Sequence, residues 1–251
     1  MLIFLTLLLA HLIGDFVMQR GAVVAGKRAG RWVAWAEHLA VHAVLLLAAW
    51  WLIQPLPVPL GAMSLGFAII LISHALIDWA KIRWGAGHEL AAFALDQAAH
   101  LLMLLLVSAW LVGGFQPLAD ELLVWHPLSP AWTLIAMTYI LVVFACGWLN
   151  RLLLQSWTPD ESLPLQPLSG LADAGLRIGW LERFVLLSAF LAEAWAAVGL
   201  VLAAKSVFRF EDLRKGRRHA EYFLIGTLLS LSQVVLLGAL LKLILLYLET
   251  Q

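Results

Sequence analysis

Four short stretches of the sequence decide the fold: HLIGD at residues 11–15, HLAVH at 38–42, HALID at 74–78 and DQAAH at 96–100. Each stretch begins and ends with a histidine or an aspartate, and each lies within a longer apolar run. A separation of four positions places two side chains on the same face of an α-helix, one turn apart. The pattern predicts four helices that each present one pair of polar side chains.

The composition places these helices in a membrane. Of the 251 residues, 63% are hydrophobic and 13% are charged, which is too apolar for an ordinary soluble domain. The formal net charge of zero gives no reason to expect nucleic acid as a partner, whereas membrane lipid is an expected one. A single cysteine excludes a disulfide within the chain, and nothing in the sequence indicates an oligomeric state.

Seven apolar runs are long enough to cross a membrane as helices, which requires about 20 residues each. They lie at residues 1–19, 36–56, 62–83, 90–113, 131–155, 178–204 and 222–248. Because lipid cannot satisfy open backbone groups, we predict an all-α, polytopic helical bundle with about seven transmembrane helices. The first run has no small-residue cleavage site and contains one of the pairs, so we expect it to remain in the mature protein.

The chain is expected to form two units. Residues 1–113 would be a four-helix transmembrane unit that carries all the histidine and aspartate pairs. Residues 114–251 would form a second membrane unit, with a connector at 158–174 that is rich in acidic residues and prolines and a basic loop at 205–218.

The short loops predict the orientation of the chain. Basic residues follow the first and third runs, whereas residues 54–61 carry no charge. By the positive-inside rule the loops after these two runs are cytoplasmic and the N-terminus is outside. Since alternate helices run in opposite directions, all four pairs then lie near the cytoplasmic face.

The same directions sort the eight residues by depth. The deeper layer is expected to hold four histidines: His11, His42, His74 and His100. The layer about 6 Å nearer the cytoplasm, from a rise of 1.5 Å per residue, is expected to hold the other four residues: Asp15, His38, Asp78 and Asp96.

Histidine and aspartate side chains grouped in this way predict a metal site. Imidazole suits zinc, iron, copper and manganese, and carboxylates can bridge two ions. All eight residues are candidate ligands, which is enough for two divalent transition-metal ions; zinc is the first choice, and manganese and iron are the alternatives. Some of the eight can instead orient a ligand, and Gln19 continues the His11 and Asp15 face towards them.

Three readings of these residues remain open. In the first, the protein is a metal-dependent hydrolase acting on a lipid or phosphoester-type substrate, with Asp96 or Asp15 as the base. In the second, an ion or proton-coupled transporter or channel uses the same residues as a transient path. In the third, the residues form a hydrogen-bonded network between helices. Few polar residues continue towards the outer face, which favours a closed site.

Basic residues near the predicted cytoplasmic face are candidates for binding a substrate or lipid head group: Lys81, Arg83, Lys205 and Arg209. The alternative is simple anchoring at the membrane surface. If residues 178–204 cross completely, the basic loop lies outside, against the positive-inside trend. Either this segment is re-entrant or broken near Glu193, or the count of seven spans is off by one; we expect the basic loop on the cytoplasmic side.

The strings HLIGDFVMQ, HLAVHAV, SHALIDWAKIR and DQAAH resemble the bacterial membrane family catalogued as domain of unknown function 3307. The later strings GLRIGWLERF, AAKSVFRFEDL and AEYFLIGTLLS are similar to its longer members. The resemblance implies a multi-pass protein of the bacterial inner membrane and no particular activity. A looser similarity, in histidine-rich helices alone, links the chain to LexA-binding inner-membrane metal-dependent hydrolases.

Overall fold

A computed structural model describes residues 2–53, 58–120, 130–155, 174–208 and 217–250. All the regular elements within these ranges are helical, so the predicted all-α polytopic bundle is confirmed. The chain divides into two compact units, residues 1–137 and 138–251. All four histidine and aspartate pairs lie in the first unit, and the boundary expected at residue 113 stays a prediction.

The described residues of the first unit include six complete helices. They are α1 (Leu2–Leu12), which continues as a π-helical segment (Ile13–Met18), α2 (Gly21–Arg28), α3 (Trp32–Ile53), α4 (Leu60–Trp84), α5 (Glu89–Val112) and α6 (Phe115–Asp120). Helix α1 packs against α3 and α5, and α4 packs against the same two helices. The four longest elements therefore form a closed ring, and the faces they turn inward meet in one core.

The inner faces of this ring are apolar over most of their length. The buried residues of this core are Ile3, Leu7, Ala10, Leu46, Ala49, Ile53, Met63, Phe67, Ile70, Leu104, Val107, Ala109, Leu111 and Leu118. The outward faces carry many exposed leucines and tryptophans, which is the pattern of helices that face lipid on one side and each other on the other. The histidine and aspartate pairs lie at one end of this core.

Helix α2 leaves the direction of α1 abruptly. The segments Ile3–Met18 and Gly21–Arg28 are bent by 91° at a short break, and α2 then packs along α3. Gly26 lies so close to Ala34 that a side chain there would overlap it. Lys27 and Arg28, two of the basic residues that follow the first predicted span, therefore belong to a helix packed on the bundle rather than to a loose loop.

Among the described residues, five helices are long and apolar enough to cross a membrane, or six if the bent pair counts as one span. The chain is thus a multi-pass membrane protein, and its described part contains one or two fewer such helices than the seven predicted. The shortfall arises mainly from residues 178–204, which do not form a single helix.

The second unit contains the end of α7 (Pro130–Ile140), a π-helical segment (Leu141–Ala145), α8 (Cys146–Leu153), α9 (Ala174–Leu191), α10 (Trp195–Phe208) and α11 (Arg217–Glu249). Helix α9 packs against α10, α11 and the π-helical segment. The core of this unit comprises Val142, Leu186, Leu187, Phe190 and Val234.

Helices α9 and α10 form a hairpin that turns at Glu193. This residue has a φ of 58°, which ends α9, and Lys205 of α10 returns to lie 2.5 Å from Glu182 of α9. The single span expected at 178–204 is therefore wrong, and the alternative of a break near Glu193 is confirmed. The hairpin reverses the direction of the chain. The start of α9 and the end of α10 therefore lie at the same end of the second unit.

A complete span at 178–204 would have placed the basic loop outside, against the positive-inside rule. With the hairpin, the basic loop and the connector can lie on the same side of the membrane, and this conflict disappears. Arg209 and the rest of the loop up to residue 216, the connector at 158–173, and residues 54–57 lie outside the described residues. The cytoplasmic position of the basic loop stays a prediction.

Candidate metal centre

The ring of helices brings the histidine and aspartate pairs to one end of the first unit. The four histidines expected at one depth form a cluster, with ring centroids 4.0 Å apart for His42 and His74, 4.4 Å for His74 and His100, and 4.7 Å for His11 and His100. All four are buried. Their closeness follows from the helix directions, because alternate antiparallel helices place these positions at one level.

The π-helical segment brings α1 unusually close to α3. Gly14 lies in that segment, and a Cβ at this position would overlap three atoms of the His42 ring. The absence of a side chain therefore lets His42 reach Asp15, the next residue in the segment. Single turns of π-helix inside α-helices occur frequently at functional sites.

Asp15 is the centre of the first donor group. Its Oδ1 lies 3.1 Å from Nε2 of His42, 3.4 Å from Nε2 of His38 and 3.6 Å from Nε2 of His74. Donors at 2.0–2.1 Å from a tetrahedral zinc ion are about 3.3 Å apart. The three distances bracket this value, so one ion could be held by these four side chains with small adjustments.

A second group lies on the other side of the same carboxylate. Oδ2 of Asp15 is 3.6 Å from Nε2 of His11, and these two residues can converge with His100 on one point. Nε2 of His11 and both ring nitrogens of His100 are buried without a hydrogen-bond partner among the described residues. Buried polar atoms are normally partnered, and a metal ion between the two residues would satisfy Nε2 of His11 and one of the two ring nitrogens of His100.

A third group shares His100 with the second. It contains His74, Asp78 and His100, whose ligand atoms lie within 4.8 Å of one another. Here the carboxylate already has a partner, because Nζ of Lys27 lies 2.5 Å from Oδ2 of Asp78. The side chain of Lys27 is only 4% exposed, so an ammonium group is buried at the edge of the histidine cluster.

Asp96 is placed differently from the other two aspartates. Its Oδ2 accepts hydrogen bonds from Lys81 at 2.8 Å and Gln97 at 2.9 Å, and its Oδ1 is 3.8 Å from Nδ1 of His100. It belongs to none of the possible metal groups found in the described part of the chain. Asp96 is therefore at the margin of the cluster rather than within it.

The residues around the cluster orient its imidazoles. Nε2 of Gln19 lies 3.3 Å from Nδ1 of His38, as expected for a side chain that continues the His11 and Asp15 face. Nε2 of His38 lies 2.8 Å from Nε2 of His74. Without an ion, one of these nitrogens carries a hydrogen and donates a hydrogen bond to the other. A metal ion needs neutral imidazoles with free lone pairs, and would replace this hydrogen bond.

The candidate residues for substrate or head-group binding differ in their surroundings. Lys81 is bound to Asp96 with its side chain 35% exposed, and Arg83, near the end of α4, is exposed. Lys205 belongs to the second unit and is paired with Glu182. Arg209 lies outside the described residues.

One residue of the centre is missed by the sequence pattern. In the sequence, Lys27 is one of several basic residues that follow the first span. It reaches Asp78 only because the chain bends before α2. A weak signal exists in hindsight, because Lys27 follows Gly26, and a glycine in a short helix permits close packing against another helix.

Comparison with known proteins adds a family but no activity. A family model described as a protein of unknown function (DUF3307) matches residues 3–129, a range that contains all four pairs. The strings of the second unit fall outside the match. No curated protein and no solved structure matches the chain, so the looser similarity to LexA-binding hydrolases gains no support.

Proposed function

The chain belongs to the DUF3307 family, and on the geometry of its first unit we propose that it is a membrane metalloprotein that acts as a metal-dependent hydrolase on a lipid or phosphoester-type substrate. The donor set favours divalent transition metals, zinc first and manganese or iron as alternatives. The centre would lie near the cytoplasmic face of the bacterial inner membrane.

One observation carries the proposal: the two oxygens of the Asp15 carboxylate face different histidines. A carboxylate placed in this way can bridge two ions, as in helical bundles that hold dinuclear centres. The first ion would be held by Asp15, His38, His42 and His74. The other two groups share His100, and each also contains one residue of the first group, Asp15 or His74; the second ion would therefore lie beside His100.

The number of donors favours catalysis over a purely structural site. Structural zinc sites are closed by four protein ligands, whereas catalytic sites have three and keep one position open. The groups at His100 have three donors each. Ions bound in such a pair supply Lewis acidity and lower the pKa of water, and can clamp the oxygens of an ester or phosphoester.

The base is assigned to Asp96 rather than Asp15. Both oxygens of Asp15 face histidines, so both would be taken up by metal binding. Oδ1 of Asp96, in contrast, is buried and has no hydrogen-bond partner among the described residues. Lys81 and Gln97 fix the other oxygen of Asp96 and so hold Oδ1 beside His100. Lys81 and Arg83, at the more open edge, would attract the negative charge of a phosphoester.

Transport through the same residues is the alternative, and the core of the first unit argues against it. Beyond the histidine cluster the ring is filled by apolar side chains, and the buried polar side chains among them in the described helices are Thr6 and Ser108. A path for ions requires polar side chains or water along its whole length. The centre is closed on this side.

Metal content tests the first part of the proposal. Detergent-purified wild type should contain about two equivalents of transition metal, and His42→Ala combined with His74→Ala should lose them. His88→Ala is the matched control, because His88 is exposed and belongs to none of the donor groups. A wild-type protein that binds no metal after careful loading with Zn²⁺ or Mn²⁺ contradicts the proposal.

Turnover tests the second part. The metal-loaded protein should hydrolyse at least one member of a panel of phosphoester and carboxylester lipids, and Asp96→Asn should remove this activity while the metal content is kept. Metal-dependent uptake of ions into proteoliposomes, with no hydrolysis of the panel, would instead establish the transport alternative.

A further inference from the structure

An ammonium group occupies a position in the centre that a metal ion could use. Nζ of Lys27 contacts Oδ2 of Asp78, and the same oxygen is 3.3 Å from Nε2 of His38 and 3.8 Å from Nε2 of His74. The positive charge thus lies on the carboxylate oxygen that is turned towards the imidazoles. Asp78 is also one of the three residues of the third donor group.

The charges of the centre limit how many ions it accepts in this state. Asp15, Asp78 and Asp96 carry three negative charges, and Lys27 and Lys81 neutralise two of them. With neutral histidines, one divalent ion brings the net charge of the centre to about +1, and a second ion brings it to about +3. Like charges repel strongly in a buried site, so the second ion is disfavoured. A second ion therefore requires that a lysine move away or that an anion bind.

Of the two lysines, Lys27 is the one whose movement would free a metal ligand. Its partner Asp78 belongs to a donor group, whereas Asp96, the partner of Lys81, does not. The ammonium of Lys27 is also 5.5 Å from the centre of the Trp35 ring, on whose face a cation is stabilised. This contact already exists while Lys27 is paired with Asp78, and it would continue to stabilise the ammonium group if the side chain rotated away from the carboxylate.

We propose that Asp78 joins His100 in holding the second ion, the one that the Asp15 carboxylate would bridge to the first, and that Lys27 is an intramolecular competitor for that position. In the metal-free protein, Lys27 neutralises Asp78. When the second divalent cation binds, Lys27 leaves Asp78 and its amino group becomes accessible. This inference rests on the proposed metal function and adds to it a residue that controls the occupancy of the second position.

Chemical labelling of lysines tests the movement in the unmodified chain. The protein in detergent is treated with an amine-reactive acetylating reagent, with EDTA or with excess Zn²⁺ or Mn²⁺, and the modified lysines are measured by mass spectrometry. Lys27 should be protected in EDTA and react at least about tenfold faster with metal. Lys242, whose side chain is 36% exposed in the second unit, is the internal control and should not change.

Metal titration tests the competition. Lys27→Met retains the length of the side chain without its charge, and should bind the second equivalent at least about tenfold more tightly than wild type. Lys81→Met is the comparison: it removes one positive charge but frees no residue of a donor group, so its gain should be clearly smaller than that of Lys27→Met. Equal affinity in wild type and Lys27→Met, with Lys27 protected whether or not metal is bound, overturns the inference.

The two levels of the proposal fail differently. If neither wild type nor Lys27→Met binds metal, the proposed function itself is wrong. If two equivalents bind while Lys27 stays protected, the metal centre stands and Lys27 is only a structural partner of Asp78. Should Lys27→Met fail to fold, the labelling of wild type still decides the outcome.

Discussion

Gly14 lies directly against the imidazole ring of His42, and a side chain at position 14 would overlap its Cε1, Nε2 and Nδ1 atoms. The contact joins the π-helical segment to α3 beside the carboxylate of Asp15. His42 thus has room for its ring only because residue 14 has no side chain. A substitution at position 14 therefore tests whether His42 is a metal ligand.

Gly14→Ala should displace His42 and reduce metal content, although alanine in a helix interior usually stabilises by about 0.5–1 kcal/mol relative to glycine. Gly21→Ala is the control, because nothing lies within 4 Å of a Cβ there. Elemental analysis and thermal unfolding in detergent measure both effects. Normal metal content in Gly14→Ala would mean that His42 is not held as the structure indicates.

Arg183 should stabilise the second unit through the backbone of the π-helical segment. Its Nε and Nη2 donate hydrogen bonds to the carbonyl oxygen of Val143 at 3.0 and 2.8 Å, and the side chain is buried. Arg183→Met would leave this carbonyl without these bonds, at a cost of about 1–3 kcal/mol. Thermal unfolding should show the loss.

The control for this prediction is Arg151→Met, since Arg151 is exposed and lies over the Trp148 ring in the described part of the chain. Gly147→Ala should reproduce part of the Arg183 effect, because a Cβ at position 147 would overlap the guanidinium. If Arg183→Met is as stable as wild type, the hydrogen bonds to Val143 contribute little.

Glu193→Gly should stabilise the hairpin of α9 and α10. A non-glycine residue with a φ of 58° is strained by about 1 kcal/mol or more, and glycine removes that cost. The variant also loses the 2.8 Å ion pair with Lys242, so Lys242→Met, which loses the pair alone, is measured in parallel. A Glu193→Gly protein less stable than Lys242→Met would contradict the prediction.

The hairpin also predicts the sidedness of its residues. In a Cys146→Ser background, cysteines placed at Gly175 and Val207 should react with a membrane-impermeant maleimide added from the same side of the membrane. Both positions are exposed, and they lie at the outer ends of α9 and α10. Labelling from opposite sides would require α9 and α10 to cross the membrane as one span.

Sequence periodicity accounts for much of the centre because it concerns local geometry. Two residues four apart on a helix share a face whatever the helix packs against, and apolar runs specify helices in a membrane. The directions of successive spans then place His11, His42, His74 and His100 at one depth. These inferences need no knowledge of how the helices touch.

Contacts between helices are decided only in the folded chain. The bend of 91° after Met18 carries Lys27 to Asp78, and a π-helical turn at Asp15 shifts that carboxylate among three imidazoles. Neither feature has a local signature in the sequence, and the turn at Glu193 uses a residue that rarely adopts a positive φ.

The sequence by itself determined the helical class, the membrane setting and which eight side chains could meet, because these depend on composition and on the period of the α-helix. The tertiary structure alone decided that Asp15 faces histidines with both oxygens, that Asp96 stands at the margin, and that Lys27 is buried in the centre. Distances between atoms on different helices depend on helix rotation, bends and close packing at glycine, which are settled only when the helices assemble.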